Sequence, residues 1–205
     1  MSLHLLNGPV GQLEVLVESP EQTKDESPIV IICHPHPLYG GTMQNKVVHT
    51  LAKICVDMGM IAVRFNFRGV GQSEGHFEHG LGEQADCIAV ADWVKQHYPQ
   101  RTIWLAGFSF GSFVAYQSFK KIQAERLLLV APPVGLFEFE TMNDIAIPWT
   151  VIQGKEDEIT PPESVAAWVK LQSNPARFYF LDNVSHFFHS KLILLREIVQ
   201  EVWSN

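Results

Sequence analysis

The sequence predicts an α/β protein with a mostly parallel, doubly wound sheet that is entered through an antiparallel hairpin. Three observations support this fold class. From residue 29 to residue 203, short apolar runs alternate with segments that carry apolar residues at helical spacing. Before them, two apolar segments flank residues 7–11, whose Asn-Gly-Pro-Val-Gly sequence is typical of a turn. A chain of 205 residues, 46% hydrophobic and 18% charged, is expected to form a single domain over residues 1–205.

The alternation defines each element in turn. The hairpin is expected to pair residues 3–6 with residues 12–17. The β-branched run at 29–33 is typical of a strand that is covered on both faces. The later strands are expected at 60–67, 102–106, 126–130, 149–153 and 177–181. The helices are expected at 45–58, 83–97, 113–122, 161–172 and 191–203.

The charge and the cysteine pattern exclude several function classes. A formal net charge of −7 argues against nucleic acid or an anionic membrane as a partner, because binding phosphate needs a basic surface. No apolar stretch approaches the roughly 18 residues of a membrane span, and the amino-terminal segment lacks the basic flank of a signal peptide. Cys33, Cys55 and Cys87 are expected to be free, buried thiols. Free thiols are typical of a reducing compartment, so we expect a cytoplasmic location. No CxxC or HxxxH spacing suggests a metal site, and we expect no metal and no cofactor.

A glycine-rich turn links the strand at 102–106 to the following helix. In Gly107-Phe108-Ser109-Phe110-Gly111, the two glycines allow strand and helix to approach closely. Ser109 would then sit in strained backbone with its hydroxyl above the sheet edge, as in the G-x-S-x-G nucleophile elbow. The alternative is an ordinary glycine-rich turn in which Ser109 caps the helix.

A serine hydroxyl needs a general base to become a nucleophile at neutral pH, and the base needs an orienting acid. His186 follows the last predicted strand in a short, partly aromatic loop and is the predicted base. His189 lies one helical turn further on and is the second choice. As a structural alternative, His186 would be a capping or half-buried histidine.

The predicted acid follows the strand at 149–153. Asp157 is favoured because Gly154 permits a tight turn that leaves the third following residue facing inward. Glu156 and Glu158 flank it and are the alternatives, and the whole acidic cluster would otherwise be a solvated loop before a helix.

The chain order Ser109, Asp157, His186 resembles that of the α/β-hydrolase family, and the resemblance covers nearly the whole chain. Two further segments, His-Pro-His-Pro at 34–37 and Asn-Phe-Arg-Gly at 66–69, narrow the resemblance to one group within this family. That group is the small, lidless bacterial serine hydrolases with an HPHP motif. That group is similar to dienelactone hydrolases in size. Those enzymes carry a cysteine at the elbow, so their chemistry is not carried over to Ser109.

The resemblance implies an oxyanion hole with two hydrogen-bond donors. The Phe110 backbone N–H is the first implied donor. The second should come from the loop after residues 29–33, where prolines cannot donate, so the His36 N–H is the predicted donor and Leu38 the alternative. The rings of His34 and His36 are also open to a structural role in bonding neighbouring loops.

Arg68 stands at another strand end. Two roles fit this position: binding a substrate carboxylate, or anchoring its own loop.

The connection at 132–148 is too short for the cap domain that many hydrolases of this fold insert. Phe137, Phe139 and Met142 would form an apolar wall beside the nucleophile or cover the sheet. Without a large lid the site is expected to be open, which suits small or solvent-exposed acyl groups.

The sequence therefore predicts a serine hydrolase that cleaves carboxylic esters of a small-molecule substrate, with Ser109 as nucleophile, His186 as base and Asp157 as orienting acid. Peptidase, thioesterase or another acyl-transfer activity would use the same three residues. A non-catalytic binding member of the fold is the alternative from a different class, and the aromatic content leaves a homodimer open.

Overall fold

The structure is a computed structural model that describes residues 1–22, 26–139 and 145–204. Within these ranges the chain forms eight strands, five α-helices and one short 3₁₀ turn. The strands are β1 (Ser2–Gly8), β2 (Gly11–Glu18), β3 (Ile29–Cys33), β4 (Ile61–Phe65), β5 (Ile103–Phe108), β6 (Arg126–Val130), β7 (Trp149–Gly154) and β8 (Arg177–Leu181). The helices are α1 (Lys46–Asp57), α2 (Leu81–His97), α3 (Phe110–Ile122), α4 (Pro162–Lys170) and α5 (Leu192–Ser204), and the 3₁₀ turn is Pro37–Tyr39.

The eight strands form one sheet in the order β1-β2-β4-β3-β5-β6-β7-β8. The β1–β2 and β2–β4 pairs are antiparallel, and the remaining pairs are parallel. This confirms the mostly parallel sheet with an amino-terminal hairpin. The chain runs from β3 outward to β4 and then returns to place β5 on the other side of β3, so the strand order reverses at β3. Ligands of open α/β sheets bind at the carboxyl ends of the strands beside such a reversal.

Helices cover both faces of the sheet. Along β3, Ile29 and Ile31 point into the core shared with α2, α3 and α4, whereas Val30 and Ile32 point into the core shared with α1 and α5. All four side chains are fully buried, as expected for a strand whose alternate side chains meet helices on opposite faces. None of the described helices is long and apolar enough to cross a membrane.

The three cysteines are free and buried, as predicted. The Sγ atoms of Cys33 in β3 and Cys87 in α2 lie 3.7 Å apart, and burial raises the pKa of the Cys33 thiol well above its usual value. Both side chains therefore act as small apolar groups in the core.

Some element boundaries differ from the sequence prediction. Asn45 does not begin α1 but caps it, since its side-chain oxygen accepts the Val47 N–H at 2.9 Å. Helix α3 begins at Phe110, earlier than the predicted residue 113. Gly111 and Ser112 carry no apolar side chain, so the first turn of this helix gives no periodic signal.

Strands β6 and β7 are joined by residues 131–148, of which the structure describes 131–139 and 145–148. The Phe137 and Phe139 rings pack on Phe113, with centroids 5.0 and 5.5 Å apart, respectively. Met142 lies outside the described residues. A connection of this length leaves no room for a cap domain, in agreement with the prediction.

Arg68 anchors the loop that follows β4. Its guanidinium group donates to both carboxylate oxygens of Asp86 on α2, at 2.7–3.1 Å, and it also pairs with Glu78. The Arg68 backbone N–H donates to the same Asp86 carboxylate at 3.0 Å. The Arg68 and Asp86 side chains are both buried. Of the two roles considered for Arg68, the loop anchor is therefore the one that its contacts support.

We expect Arg68→Met to destabilise the protein by about 3–5 kcal/mol, because it leaves the Asp86 carboxylate buried without its cation. Arg196→Met is the matched control. It removes the partly exposed Arg196–Asp57 pair, so the expected loss is below about 1 kcal/mol. Urea unfolding of the two variants measures the difference. Similar small losses for both would show that Arg68 does not anchor the loop.

Candidate active site

A tight turn between β5 and α3 carries Ser109. This residue has φ 53° and ψ −124°, a conformation that strains any residue with a side chain. A Cβ added at Gly107 would collide with the Gly111 backbone, and one added at Gly111 would collide with the Cys33 backbone. Both glycines are therefore needed for the helix to begin this close to the sheet. The backbone has the form of a nucleophile elbow.

Ser109 occupies the N-cap position of α3, yet its side chain makes no capping hydrogen bond. Its Oγ instead lies 2.9 Å from His186 Nε2. The alternative in which Ser109 only caps the helix does not fit this geometry.

The loop between β8 and α5 places His186 above the elbow. Its ring packs against Phe108 and Phe187, with centroid distances of 5.3 and 5.0 Å, respectively. Its Nδ1 lies 2.8 Å from Asp157 Oδ2. His189, the second choice, has its Nδ1 2.9 Å from Lys46 Nζ. The structure thus brings His186, and not His189, next to Ser109.

Asp157 lies in the turn after β7 and is held by four hydrogen bonds. Its Oδ1 accepts the backbone N–H groups of Ile159 and Thr160 at 2.9 and 2.7 Å, respectively. Its Oδ2 accepts the Gln153 side-chain amide at 2.8 Å in addition to His186 Nδ1. Burial alone would raise the pKa of Asp157, but the bonds to His186, Thr160 and Gln153 lower it overall. The carboxylate is therefore ionised at neutral pH.

The two neighbouring glutamates make different contacts. Glu156 is exposed. Glu158 accepts the His186 backbone N–H at 3.1 Å through its carboxylate, so it supports the histidine loop without contacting the ring nitrogens. Among the three acidic residues, Asp157 alone lies within hydrogen-bond distance of the His186 ring.

Two backbone N–H groups near Ser109 are free to donate. The described residues provide no hydrogen-bond acceptor for the N–H of Phe110 or for that of His36. The Leu38 N–H, the alternative second donor, is already engaged with His36 Nδ1 at 3.2 Å. The predicted pair of oxyanion donors is therefore the pair that remains available.

His34 is a buried structural link. Its Nε2 accepts the Phe67 N–H at 3.0 Å. Its Nδ1 lies 2.6 Å from the Pro35 carbonyl oxygen and therefore carries the proton. Burial lowers the pKa of His34 to about 3, so the imidazole is neutral. It joins the loop after β3 to the loop after β4.

A cleft of about 510 Å³ opens beside Ser109. None of the described residues that line it is Asp, Glu, Lys or Arg. Burial, and to a lesser extent nearby His79, lowers the pKa of His36, which favours its neutral form. The lining residues are Pro35, His36, Tyr39, Gly40, Gly41, Asn45, Ser109, Phe110, Pro133, Leu136, Phe137, Ile159, His186 and Phe187.

Throughout the described part of the chain, no group of three or more His, Cys, Asp or Glu residues could hold a metal ion.

Sequence reasoning assigns no role to Gln153, which is fully buried in β7. Its Nε2 donates to Asp157 and to the Gly154 carbonyl oxygen, at 2.8 and 3.0 Å, respectively. Because both partners are acceptors, they fix the orientation of the amide. The available signal is a glutamine at the end of a mostly apolar strand, just before the acidic turn.

Comparison with known proteins finds relatives over most of the chain. A family model described as X-Pro dipeptidyl-peptidase (S15 family) matches residues 10–141. An uncharacterized protein of Rickettsia prowazekii is 36% identical over 195 residues, which cover 90% of this chain and 81% of that protein. A solved α/β serine hydrolase homologue from Coxiella burnetii is 47% identical with a TM-score of 0.93, covering 98% of this chain and 96% of its own. An α/β serine hydrolase without lid from Xanthomonas campestris is 42% identical with a TM-score of 0.93, covering 98% and 92% of the two chains, respectively.

The burial of His34 predicts a loss of stability in acid. The pKa of His34 is 6.5 when unperturbed and about 3 in the folded protein. At a pH between these two values, the residue therefore takes up a proton when the protein unfolds. The stability that this neutral group contributes is complete above about pH 6.5 and falls by up to about 1.4 kcal/mol for each pH unit below it. Urea unfolding between about pH 7 and about pH 5 should show a larger loss of stability in the wild type than in His34→Asn, in which residue 34 does not titrate and only other groups, such as His36, contribute. The same pH dependence in both proteins would show that His34 is not held neutral.

Proposed function

Because this chain belongs to the X-Pro dipeptidyl-peptidase (S15) family of α/β hydrolases, we propose that it is a serine hydrolase that cleaves carboxylic esters. The observation that carries this proposal is the hydrogen-bonded series Ser109 Oγ, His186 and Asp157, with distances of 2.9 and 2.8 Å. Beside it lie the two free N–H groups of Phe110 and His36. Nucleophile, base, orienting acid and oxyanion donors are the parts that acyl transfer needs.

In the first half of the reaction, Ser109 Oγ attacks the acyl carbon while His186 Nε2 takes the hydroxyl proton. The carbonyl oxygen becomes an oxyanion and accepts hydrogen bonds from the Phe110 and His36 N–H groups. The carbon–oxygen bond to the leaving alcohol then breaks, and His186 gives its proton to that oxygen. The product of this half is an acyl-enzyme on Ser109.

In the second half, water attacks the acyl carbon while His186 again takes a proton. The ester bond to Ser109 breaks, and the proton returns to the Ser109 oxygen as the carboxylic acid leaves. Asp157 stays ionised throughout and stabilises the imidazolium that forms twice in each cycle.

The cleft favours an uncharged acyl group. Its walls are mainly aromatic and aliphatic side chains, and the described residues offer no ion-pair partner within it. Moving a charged group from water to such a surface is costly. A peptidase that acts on peptide amino termini, as the family description suggests, must accept an ammonium group. We therefore favour small or solvent-accessible neutral esters over peptides. Thioesters and other acyl donors would use the same acyl-enzyme and differ in the leaving group.

We expect Ser109→Ala to lower kcat for 4-nitrophenyl butanoate by at least about 1,000-fold, since it removes the nucleophile. A fluorophosphonate probe should label the wild type at Ser109 and leave the variant unlabelled, with unchanged far-UV circular dichroism. Ser164→Ala, on α4 and outside the cleft, is the control and should keep both activity and labelling. Full turnover by Ser109→Ala, or no labelling of the wild type, would favour the non-catalytic binding alternative.

The charge of the acyl group tests the substrate class. The 4-nitrophenyl esters of butanoate and β-alanine differ by a methyl group in place of an ammonium group. We expect kcat/KM, divided by the uncatalysed rate, to be at least about 50-fold higher for butanoate. The N-acetyl-β-alanine ester is the control: it is larger but uncharged, so it should recover most of the loss. A preference for the ammonium ester would instead support the peptidase alternative.

A further inference from the structure

We propose that the imidazole rings of His34 and His36 are positioning residues that lock one peptide plane, the one between Pro35 and His36. This plane carries the His36 N–H, so the inference rests on the proposed function, in which that N–H holds the oxyanion. Neither ring needs to touch the substrate carbonyl for this role. The two rings act on the plane from opposite ends.

His34 holds the carbonyl end of the plane. Its Nδ1–H donates to the Pro35 carbonyl oxygen at 2.6 Å, while the Phe67 N–H donates to its Nε2 and fixes the ring. No peptide bond in the described chain is cis, so the His36 N–H points in the direction opposite to the Pro35 carbonyl. Because His34 is fully buried, the carbonyl faces the interior. The N–H therefore faces outward, toward the cleft that Pro35 and His36 line.

His36 holds the other end through the turn that follows it. Its Nδ1 accepts the Leu38 N–H at 3.2 Å, so the ring works as a cap on the 3₁₀ turn. Its carbonyl oxygen accepts the N–H groups of Tyr39 and Gly41 at 3.2 and 3.0 Å, respectively. The carbonyl oxygen and Nδ1 of His36 are thus both used inside one turn. Capping also occupies the Leu38 N–H, the nearest competing donor.

The His36 ring also links the two oxyanion donors to each other. Its centroid lies 5.1 Å from that of Phe110, whose backbone carries the first donor, and 4.7 Å from that of Phe77. Packing of the ring therefore limits how far the loop can move relative to the start of α3. Donors that are already aimed stabilise developing charge without reorganising during the reaction.

The two functions of the His36 ring, capping and packing, can be separated by substitution. His36→Phe keeps an aromatic ring but cannot accept the Leu38 N–H. His36→Asn loses the ring, but its side-chain oxygen can accept the N–H two residues later, as in an Asx turn. If the cap positions the donor, we expect His36→Phe to lower kcat for 4-nitrophenyl butanoate by about 10- to 100-fold with little change in KM. His36→Asn should keep at least about ten times the kcat of His36→Phe and raise KM through the lost packing.

Inhibition by a transition-state analogue separates a positioning role from a general structural role. A general structural role would not change the inhibition constant selectively. An alkylboronic acid forms a tetrahedral adduct on Ser109 whose oxygen lies where the oxyanion forms. The inhibition constant of this adduct should rise in His36→Phe by about the factor by which kcat falls, while KM stays nearly unchanged.

The role of His34 is tested in the same way. Replacement by Leu removes the donor to the Pro35 carbonyl, and replacement by Asn keeps a short amide donor. Among the folded variants, the Leu variant should show the larger rise in the inhibition constant.

The outcomes separate this inference from the proposed function. If Ser109→Ala abolishes activity but His36→Phe retains wild-type kcat and boronate affinity, the positioning role is wrong and the serine hydrolase proposal stands. Equal losses of kcat in His36→Phe and His36→Asn would also overturn the positioning role of the cap, because the variant that can keep the cap would then be no better than the variant that lacks it. If Ser109→Ala retains activity, both proposals fail together.

Discussion

A contact between two backbones sets the geometry of the whole site. Gly111 in α3 approaches the carbonyl group of Cys33 so closely that no side chain fits between them. The first turn of the helix therefore begins directly over the end of β3, and the Phe110 N–H becomes a neighbour of the loop at residues 34–37. Ser109, one residue before the helix, must take a left-handed backbone conformation to allow this. The burial of β5 and α3 on both sides of the turn offsets that strain.

The imidazoles of His34, His36 and His186 lie near this contact, and each has different surroundings. His34 is buried among apolar groups and backbone amides, so it is a neutral link between two loops. His36 is half-buried among aromatic rings and uses one nitrogen to cap a turn. Only His186 has a carboxylate, that of Asp157, on one ring nitrogen and a hydroxyl, that of Ser109, on the other. In the proposed reaction, His186 is therefore the histidine that would transfer the proton, because it has an ionised partner.

Much of the fold and of the proximity of Ser109, Asp157 and His186 could be predicted, because both depend on local signals. Strand and helix periodicity located the elements, and the residues that follow parallel strands necessarily converge at one edge. What could not be predicted depends on partners far apart in sequence. The choice between two roles for Arg68 is settled by Asp86, and the function of the His34 ring depends on Phe67. A single sequence does not show such pairs, since nothing local marks one residue as the partner of another.

The short connection between β6 and β7 has a consequence for chemical selectivity. The described residues at the rim of the cleft, including Tyr39, Leu136 and Ile159, are largely exposed to solvent. In the proposed reaction, an acyl group attached to Ser109 would then be in contact with bulk solution, because the described residues form no closed chamber that excludes competing nucleophiles. Water and dissolved alcohols would compete for the acyl carbon in proportion to their concentration and reactivity. The protein would control which bond is activated, and the medium would control whether the product is an acid or a new ester.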